Sequence, residues 1–172
     1  MANATSDCTV LRRGHELFTV AQTAPIYTPN PFFNQSDTMV KFDEKMKSEF
    51  LKLKTIYLAT ASKSGVPNVV PLGALFLIDD ETLWIVDNFL KKTLANIKEN
   101  PVASFDIWNP DGDMSYQVKC DAKYENSGAD YEKARDMMHQ KRADLPAKGL
   151  VKLTFKEVYQ VKPGPGAGDK IL

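Results

Sequence analysis

The stretch from Leu83 to Pro101, LWIVDNFLKKTLANIKENP, most restricts how this chain can fold, because it predicts a buried strand running through a short turn directly into a helix. Residues 83–86 are bulky, branched or aromatic, as strand residues tend to be. From Leu90 onward, apolar residues recur at spacings of four and three, and Asn100 followed by proline supplies a stop signal. The pattern predicts a short helix of about three turns.

The first turn of this helix carries an unusual charge. Lys91 and Lys92 stand where the helix macrodipole is positive, and a cation is disfavoured there by about 0.3–1 kcal/mol. The free N–H groups of a helix start, two ammonium groups and the Thr93 hydroxyl together suit an anion, above all a phosphate. Surface lysines are common, however, and this feature alone is equally compatible with two side chains that extend into solvent.

Hydrophobic periodicity and turn signals predict a mainly β chain of the α+β class, with six antiparallel strands and three helices. We expect the first three strands to form a hairpin-linked meander, because Ser-Gly and Asp-Asp-Glu breaks separate them. Closure into a small barrel with helices at its rim would remove exposed strand edges. The predicted strands cover residues 55–61, 69–78, 83–86, 102–108, 114–124 and 150–161, and the predicted helices 41–53, 90–100 and 127–142.

The second predicted strand is interrupted by Pro71 and Gly73, where a ladder N–H and a side chain are missing. Such a strand is expected to be bulged or to lie at a sheet edge. Its bare backbone would let a flat ligand approach closely, whereas a bulge that only bends a barrel explains the same residues. The spacing leaves both interpretations open.

Residues 1–38 differ from the rest of the chain. They are polar, with Pro25, Pro29 and Pro31 close together, and proline at this density resists both helix and central strand. We interpret them as an N-terminal arm or as a non-native leader ahead of Met39. The patterning typical of a folded domain begins there, so we assign residues 39–172 to one domain.

Composition restricts the classes of partner. Twenty-two basic residues balance twenty-two acidic ones, so no overall field favours nucleic acid or an anionic membrane. No apolar run approaches the ~20 residues needed to span a bilayer, and the N-terminal residues lack the apolar core of a signal peptide. We therefore expect a cytoplasmic protein without nucleic-acid or membrane partners.

The side chains that most often carry chemistry are sparse. Cys8 and Cys120 lie far apart without CxxC or His-rich spacing, so we expect neither a metal site nor a redox dithiol. Cys120 fits a small buried strand residue better than a nucleophile. His139 lies in a predicted helix without a carboxylate or serine pattern around it, so we interpret it as structural and predict no catalytic side chain.

The run from Ala59 to Pro101 resembles the FMN-binding split-barrel proteins related to pyridoxamine 5'-phosphate oxidase. The resemblance lies in TASKSGVPNVVPLG, the acidic hairpin turn and IVDNFLKKTLANIKENP, of which the lysine-threonine helix start before Asn-Pro is the most specific part. It extends more weakly through SFDIW, SYQVKCDAKYE and VYQVKPGPGAG, over about residues 41–168. It implies a six-stranded antiparallel split β-barrel with flanking helices, paired as a homodimer with one FMN in each of two clefts between subunits.

The resemblance also implies a set of cofactor-binding residues. The strand that contains Pro71 and Gly73 would lie along the flavin ring. The turn before the helix would lie beside the ring and the ribityl chain. The start of the helix would bind the phosphate, in agreement with the charge argument above. Two further residues would reach the flavin from the partner subunit. In this order the implied residues are Val70, Pro71, Leu72 and Gly73; Asp87, Asn88 and Phe89; Lys91, Lys92 and Thr93; and Trp108 and Gln117.

The sequence also departs from true pyridoxamine 5'-phosphate oxidases, which carry arginines on the second strand and an arginine-containing segment near the C-terminus. Val70-Pro71 and a Gly-Pro tail stand in those places, so vitamin B6 oxidation is less expected. The leading hypothesis is an FMN-dependent oxidoreductase or electron carrier of unknown substrate. The alternatives are a split barrel that holds a deazaflavin or haem, and a non-catalytic flavin-binding or interaction module.

Overall fold

The computed structural model describes residues 10–13, 16–19, 40–109 and 115–172. Contacts within the chain divide it into two units, residues 1–37 and residues 38–172. In the first unit β1 (Val10–Arg13) and β2 (Glu16–Thr19) pair as an antiparallel two-stranded ribbon. Most of residues 1–38 lie outside the described residues, so their interpretation as an arm or a leader stays a prediction.

The second unit contains seven strands and three helices among its described residues. The strands are β3 (Ile56–Ala61), β4 (Pro67–Leu72), β5 (Leu75–Leu77), β6 (Thr82–Asp87), β7 (Val102–Ile107), β8 (Tyr116–Glu125) and β9 (Gly149–Gln160). The helices are α1 (Glu44–Leu51), α2 (Lys92–Glu99) and α3 (Ala129–Lys141). In the described part of the chain, no helix is long and apolar enough to cross a membrane.

The seven strands form one antiparallel sheet in the order β4-β3-β7-β8-β9-β6-β5. The two edge strands, β4 and β5, are joined through only Gly73 and Ala74. Three consecutive Cα–Cα steps reach at most about 11 Å, so the two edges of the sheet must lie close together. The sheet is therefore curled into a half-barrel, which confirms the mainly β, split-barrel fold with flanking helices.

Two details of the predicted topology are wrong. The strand predicted over residues 69–78 is two strands, so the sheet has seven strands rather than six. The expected three-strand meander does not form either, because β4 pairs only with β3 while β6 pairs with β5 and β9. The physical reason is the Gly73 break, where the chain leaves one sheet edge and joins the other. The expectation of an edge strand at Pro71 is confirmed.

Aromatic side chains fill the interior of the curled sheet. Phe105 on β7 contacts Phe50 of α1 at 6.3 Å between ring centroids and Phe155 of β9 at 5.8 Å. Phe42 stacks on Phe155 at 4.3 Å, just before Asp43 caps α1 by accepting a hydrogen bond from the Met46 N–H. These contacts fix α1 over one end of the barrel.

Strand β6 is buried on both faces. Leu83 and Ile85 point into the barrel, whereas Trp84 and Val86 belong to a second cluster beneath α3. The continuous apolar run at 83–86 reflects this double burial. Because both faces of β6 are packed against other elements, the turn that follows β6 has a defined position beside α3.

Candidate functional site

The turn between β6 and α2 is organised by a buried carboxylate. Asp87 is 1% exposed, and its Oδ1 accepts a hydrogen bond of 2.8 Å from the Leu90 N–H. Its Oδ2 accepts one of 3.3 Å from the Tyr124 hydroxyl, and its carbonyl accepts one of 2.7 Å from the Lys148 N–H. Burial raises the pKa of Tyr124, and the charge on Asp87 raises it further. The phenol therefore remains a neutral donor at neutral pH.

Helix α2 begins with two cationic side chains. Lys91 is its N-cap residue and Lys92 its first residue, the first turn contains no acid, and no side chain caps the free N–H groups. Both lysines are exposed, and none of the ion pairs in the described part of the chain involves them. Exposed ammonium groups are hydrated, so this end of the helix is positive and open to a ligand anion.

A polar network lies beneath the start of α2. The Asn68 side-chain amide donates to the hydroxyl oxygens of Thr93, at 3.1 Å, and Thr60, at 3.3 Å. Asn96 donates to the same Thr60 oxygen at 3.1 Å. Because the Thr93 oxygen accepts from Asn68, its own O–H remains available as a donor. The network thus fixes Thr93, which is 1% exposed, at the base of the helix start.

These elements border a cleft of about 710 Å³. Its first wall is edge strand β4 with the Gly73-Ala74 link. The turn after β6 and the start of α2 form its basic end. Its lining is mainly apolar with a few convergent polar groups, as small-molecule sites usually are. The first wall and basic end comprise Asn68, Val70, Pro71, Leu72, Gly73, Ala74, Val86, Asn88, Phe89, Leu90, Lys91, Lys92 and Thr93.

The second wall of the cleft comes from the end of α3 and the loop after it, through Met138, Arg142 and Leu145. This loop is attached to the turn after β6, because the Ala147 N–H donates to the Asn88 side-chain oxygen at 3.0 Å. Ala147 is fully buried and adopts a left-handed backbone conformation at φ 41°. A left-handed alanine is costly and persists only where its surroundings hold it, so the second wall has a defined position.

Most of the predicted site residues meet in this cleft. The lining includes Val70, Pro71, Leu72, Gly73, Asn88, Phe89, Lys91, Lys92 and Thr93. Asp87 lies beneath the turn and does not line the cleft. Trp108 is exposed after β7, and Gln117 is half-buried on β8. Neither lines the cleft, and their approach from a partner subunit stays a prediction, as do the roles of all these residues.

Several lining residues were missed by the sequence reasoning. Asn68 shares the inward face of β4 with Val70 and Leu72, so period-two alternation was a usable signal for it. Met138, Arg142 and Leu145 had no such local signal. They reach the cleft only because α3 packs on β6 and β9, far from the lysines in sequence.

The other candidate reactive groups lie outside the cleft. His139 is engaged through Nε2 with the Leu145 carbonyl at 3.0 Å. Cys120 is buried in β8, and burial raises the pKa of its thiol well above the ordinary value. Its expected placement as a small buried residue is confirmed. Within the described ranges, no three His, Cys, Asp or Glu side chains gather as metal ligands would.

Comparison with known proteins identifies relatives of this arrangement. Residues 42–162 match the family described as pyridoxamine 5'-phosphate oxidase. An uncharacterized protein of Methanocaldococcus jannaschii, MJ0282, is 39% identical over 137 residues, which cover 78% of this chain and 91% of that protein. The crystal structure of HupZ from Group A Streptococcus superposes with a TM-score of 0.64 at 24% identity, over 74% of this chain and 99% of that one.

Solved structures with the same fold are described with different ligands. An FMN-binding protein from Syntrophomonas wolfei matches with a TM-score of 0.56 at 17% identity, over 69% of this chain and 85% of that one. The heme storage protein HutZ from Vibrio cholerae and an F420 reductase match with TM-scores of 0.55 and 0.51, at 16% and 21% identity. The match to HutZ covers 70% of this chain and 95% of the HutZ chain, and the match to the reductase covers 65% of this chain and 94% of the reductase chain. At this level of identity the likeness shows the fold alone.

Proposed function

We propose a function from one premise: this chain belongs to the pyridoxamine 5'-phosphate oxidase family. Its cleft binds FMN, and the bound flavin serves in an oxidation–reduction reaction. The observation that carries the proposal is the combination of a mainly apolar wall with an uncompensated basic helix start in one cleft. FMN has the matching parts, namely a flat apolar ring at one end and a phosphate dianion at the other.

The residues of the cleft fit each part of this cofactor. The strand segment from Val70 to Gly73 would lie along the ring, where Pro71 and Gly73 leave the backbone uncovered. Lys91, Lys92 and the Thr93 hydroxyl would hold the phosphate through charge-assisted hydrogen bonds and the free N–H groups of α2. Asn68 would support them by orienting Thr93.

When bound, FMN supplies the hydride or electron chemistry, and the protein supplies binding, orientation and polarity. The apolar lining excludes water from the ring, and Asn88, anchored to the Ala147 N–H, keeps the adjoining turn in place. We assign no acid or base to a side chain. Vitamin B6 oxidation is a less favoured activity, because the strand that carries arginines in true B6 oxidases has Val70 and Pro71 here.

We further propose that the protein works as a homodimer, with Trp108 and Gln117 contributed across the interface. Tyr57 and Val69 lie on the same outward face of β3 and β4, and they are 56% and 59% exposed. Phe89 is 71% exposed beside the cleft. Exposed apolar side chains that share one face of a sheet are typical of a surface that another molecule covers. Sedimentation equilibrium over a range of protein concentrations tests this assembly.

The cofactor proposal is tested by comparing FMN with riboflavin, which lacks the phosphate. An ammonium group about 4 Å from a single negative charge contributes about 1 kcal/mol in water. Loss of two such groups should therefore cost about 2 kcal/mol or more, or about 30-fold in affinity. Fluorescence titration of Lys91→Ala/Lys92→Ala should show this loss for FMN and less than about threefold for riboflavin.

The matched control removes two exposed lysines elsewhere, in Lys45→Ala/Lys63→Ala, and should leave both affinities unchanged. Equal losses for FMN and riboflavin would mean that the helix start does not hold the phosphate. A protein that is colourless as purified, and that neither shifts the visible spectrum nor quenches the fluorescence of added FMN, would overturn the flavoprotein assignment itself.

The same measurements separate the alternatives. A deazaflavin would occupy the same wall, and the visible absorption spectrum of the bound cofactor distinguishes it from FMN. Haem is less favoured, because no histidine is among the described residues that line the cleft. Bound FMN that NADH, NADPH and dithionite-reduced carriers fail to reduce would favour a non-catalytic binding module.

A further inference from the structure

The cleft carries a third cation besides the two lysines at the start of α2. Its described lining contains three cations, Lys91, Lys92 and Arg142, and no carboxylate. The two lysines belong to α2, which packs on β3, β4 and β8, whereas Arg142 follows α3, which packs on β6 and β9. The third cation therefore stands on the other wall of the cleft, next to the apolar side chains Met138 and Leu145.

Arg142 is held in place from several directions. Its N–H donates to the Met138 carbonyl at 2.8 Å, and its carbonyl accepts from the Leu145 N–H at 3.3 Å. The Leu145 carbonyl is in turn bonded to His139, and the Tyr131 hydroxyl donates to the Ala147 carbonyl at 3.1 Å. The backbone around Arg142 is thus tied to α3 on both sides, as a preorganised binding residue requires.

The guanidinium group is exposed and pairs with a neighbouring carboxylate. Its Nε and Nη2 donate to the two carboxylate oxygens of Asp144, at 2.9 and 2.8 Å. A guanidinium has five N–H donors in one plane, and this side-on contact uses two of them. The end-on pair, one N–H from Nη1 and one from Nη2, points away from Asp144 and matches the spacing of two carboxylate oxygens.

We propose that Arg142 recognises the carboxylate of a second small molecule, an apolar monocarboxylic acid that enters the cleft beside the cofactor. Met138 and Leu145 contact its apolar body, and Asp144 acts as a positioning residue for the guanidinium. The identification of this molecule as a partner of the flavin rests on the proposed function, whereas the carboxylate site itself stands on the geometry of α3 and its loop.

Charge balance favours a monoanion over a phosphate ester at this wall. Asp144 already offsets one positive charge, and the pair is neutral as a unit. A phosphate dianion would therefore bind more favourably at the lysine pair on the other wall, where no carboxylate in the first turn of α2 offsets the charge. A carboxylate needs only the two parallel N–H donors that the end-on fork offers.

The experiment uses 2-naphthoate and its neutral counterpart 2-naphthylmethanol as probes, with binding measured by isothermal titration calorimetry on both FMN-loaded and FMN-free protein. The unaltered protein should bind 2-naphthoate at least about tenfold more tightly than the alcohol. Arg142→Ala should abolish that preference, and Arg142→Lys should restore only part of it, because an ammonium group lacks the fork. Arg142→Ala should weaken FMN binding far less than Lys91→Ala/Lys92→Ala does.

Arg135→Ala is the matched control, since it removes an arginine of α3 that does not line the cleft, and it should keep the preference. Equal affinities for the two probes in the unaltered protein, or a preference that survives Arg142→Ala, would overturn the inference. So would a loss of FMN affinity in Arg142→Ala as large as that in Lys91→Ala/Lys92→Ala, since Arg142 would then serve the cofactor phosphate. A preference that depends on Arg142 in protein that fails to bind FMN would retain the carboxylate site and refute only the flavoprotein assignment.

Discussion

Replacement of Asp87 should show how strongly one buried carboxylate organises the helix start. In Asp87→Ala the Leu90 N–H and the Tyr124 hydroxyl both lose their acceptor. A hydrogen bond to a charged group contributes about 1.5–3 kcal/mol, and the longer bond from Tyr124 about 0.5–1.5 kcal/mol. We therefore expect Asp87→Ala to lower the free energy of unfolding by about 3 kcal/mol.

Asp87→Asn removes the charge of Asp87 but keeps a side-chain acceptor. Its side-chain oxygen still accepts from the Leu90 N–H, and its amide can donate to the Tyr124 oxygen, so the expected loss is only about 1 kcal/mol. Tyr124→Phe removes the hydroxyl alone and should cost a similar amount. In the double-mutant cycle of Asp87→Ala and Tyr124→Phe, the coupling energy should be about 0.5–1 kcal/mol.

Urea unfolding followed by circular dichroism at pH 7 measures the parent and the four variants. The exposed Asp136→Ala is a control expected to stay within about 0.5 kcal/mol of the parent. Equal losses for Asp87→Ala and Asp87→Asn would refute the reasoning, because the acceptor for Leu90 would then contribute nothing. A coupling energy of zero would show that the Tyr124 contact makes no contribution to stability.

Two further predictions concern pH and thiol chemistry. A hydrogen bond from Lys52 holds the pKa of the buried Glu49 below its usual 4.5. The ionised Glu49 therefore stabilises the folded state fully above about pH 4.5, and this stabilisation is lost as the pH falls through the pKa of Glu49 in the folded protein. Urea midpoints between pH 3 and 7 should therefore fall less steeply below pH 4.5 in Glu49→Gln than in the exposed control Glu44→Gln. The Cys8→Ser variant leaves Cys120 as its single thiol. Because Cys120 is buried and its pKa is raised, its reaction with Ellman's reagent should be negligible in native protein and should become rapid once 6 M guanidinium unfolds the chain. Labelling at equal rates in both conditions would contradict the burial.

Local pattern was sufficient for most of the elements. The spacing of apolar residues predicted α1, α2 and α3, and the branched and aromatic runs predicted β3 and β6 to β9 within a few residues of their ends. This works because helix and strand periodicity depend on neighbours within a few positions. The same is true of Lys91 and Lys92, whose place at a helix start is a local property.

The wrong assignments arose where a residue has two local interpretations. Gly73 was expected to interrupt a single strand, but it links two strands at opposite sheet edges. The choice between a bulge and a crossing depends on whether β5 pairs with β4 or with β6. That pairing is decided by β6, which β9 holds at the other end of the sheet, far along the strand order from β4.

The sequence by itself determined the mainly β class, the helix that begins with two lysines and most residues of the cleft's first wall. The tertiary structure alone decided the second wall, since Met138 and Arg142 lie about fifty residues beyond those lysines and reach the cleft through the packing of α3. Periodicity records which face of an element is buried, but it does not record what that face is buried against. The cation opposite the lysine pair therefore became visible only when the fold had brought α2 and the end of α3 to one cleft.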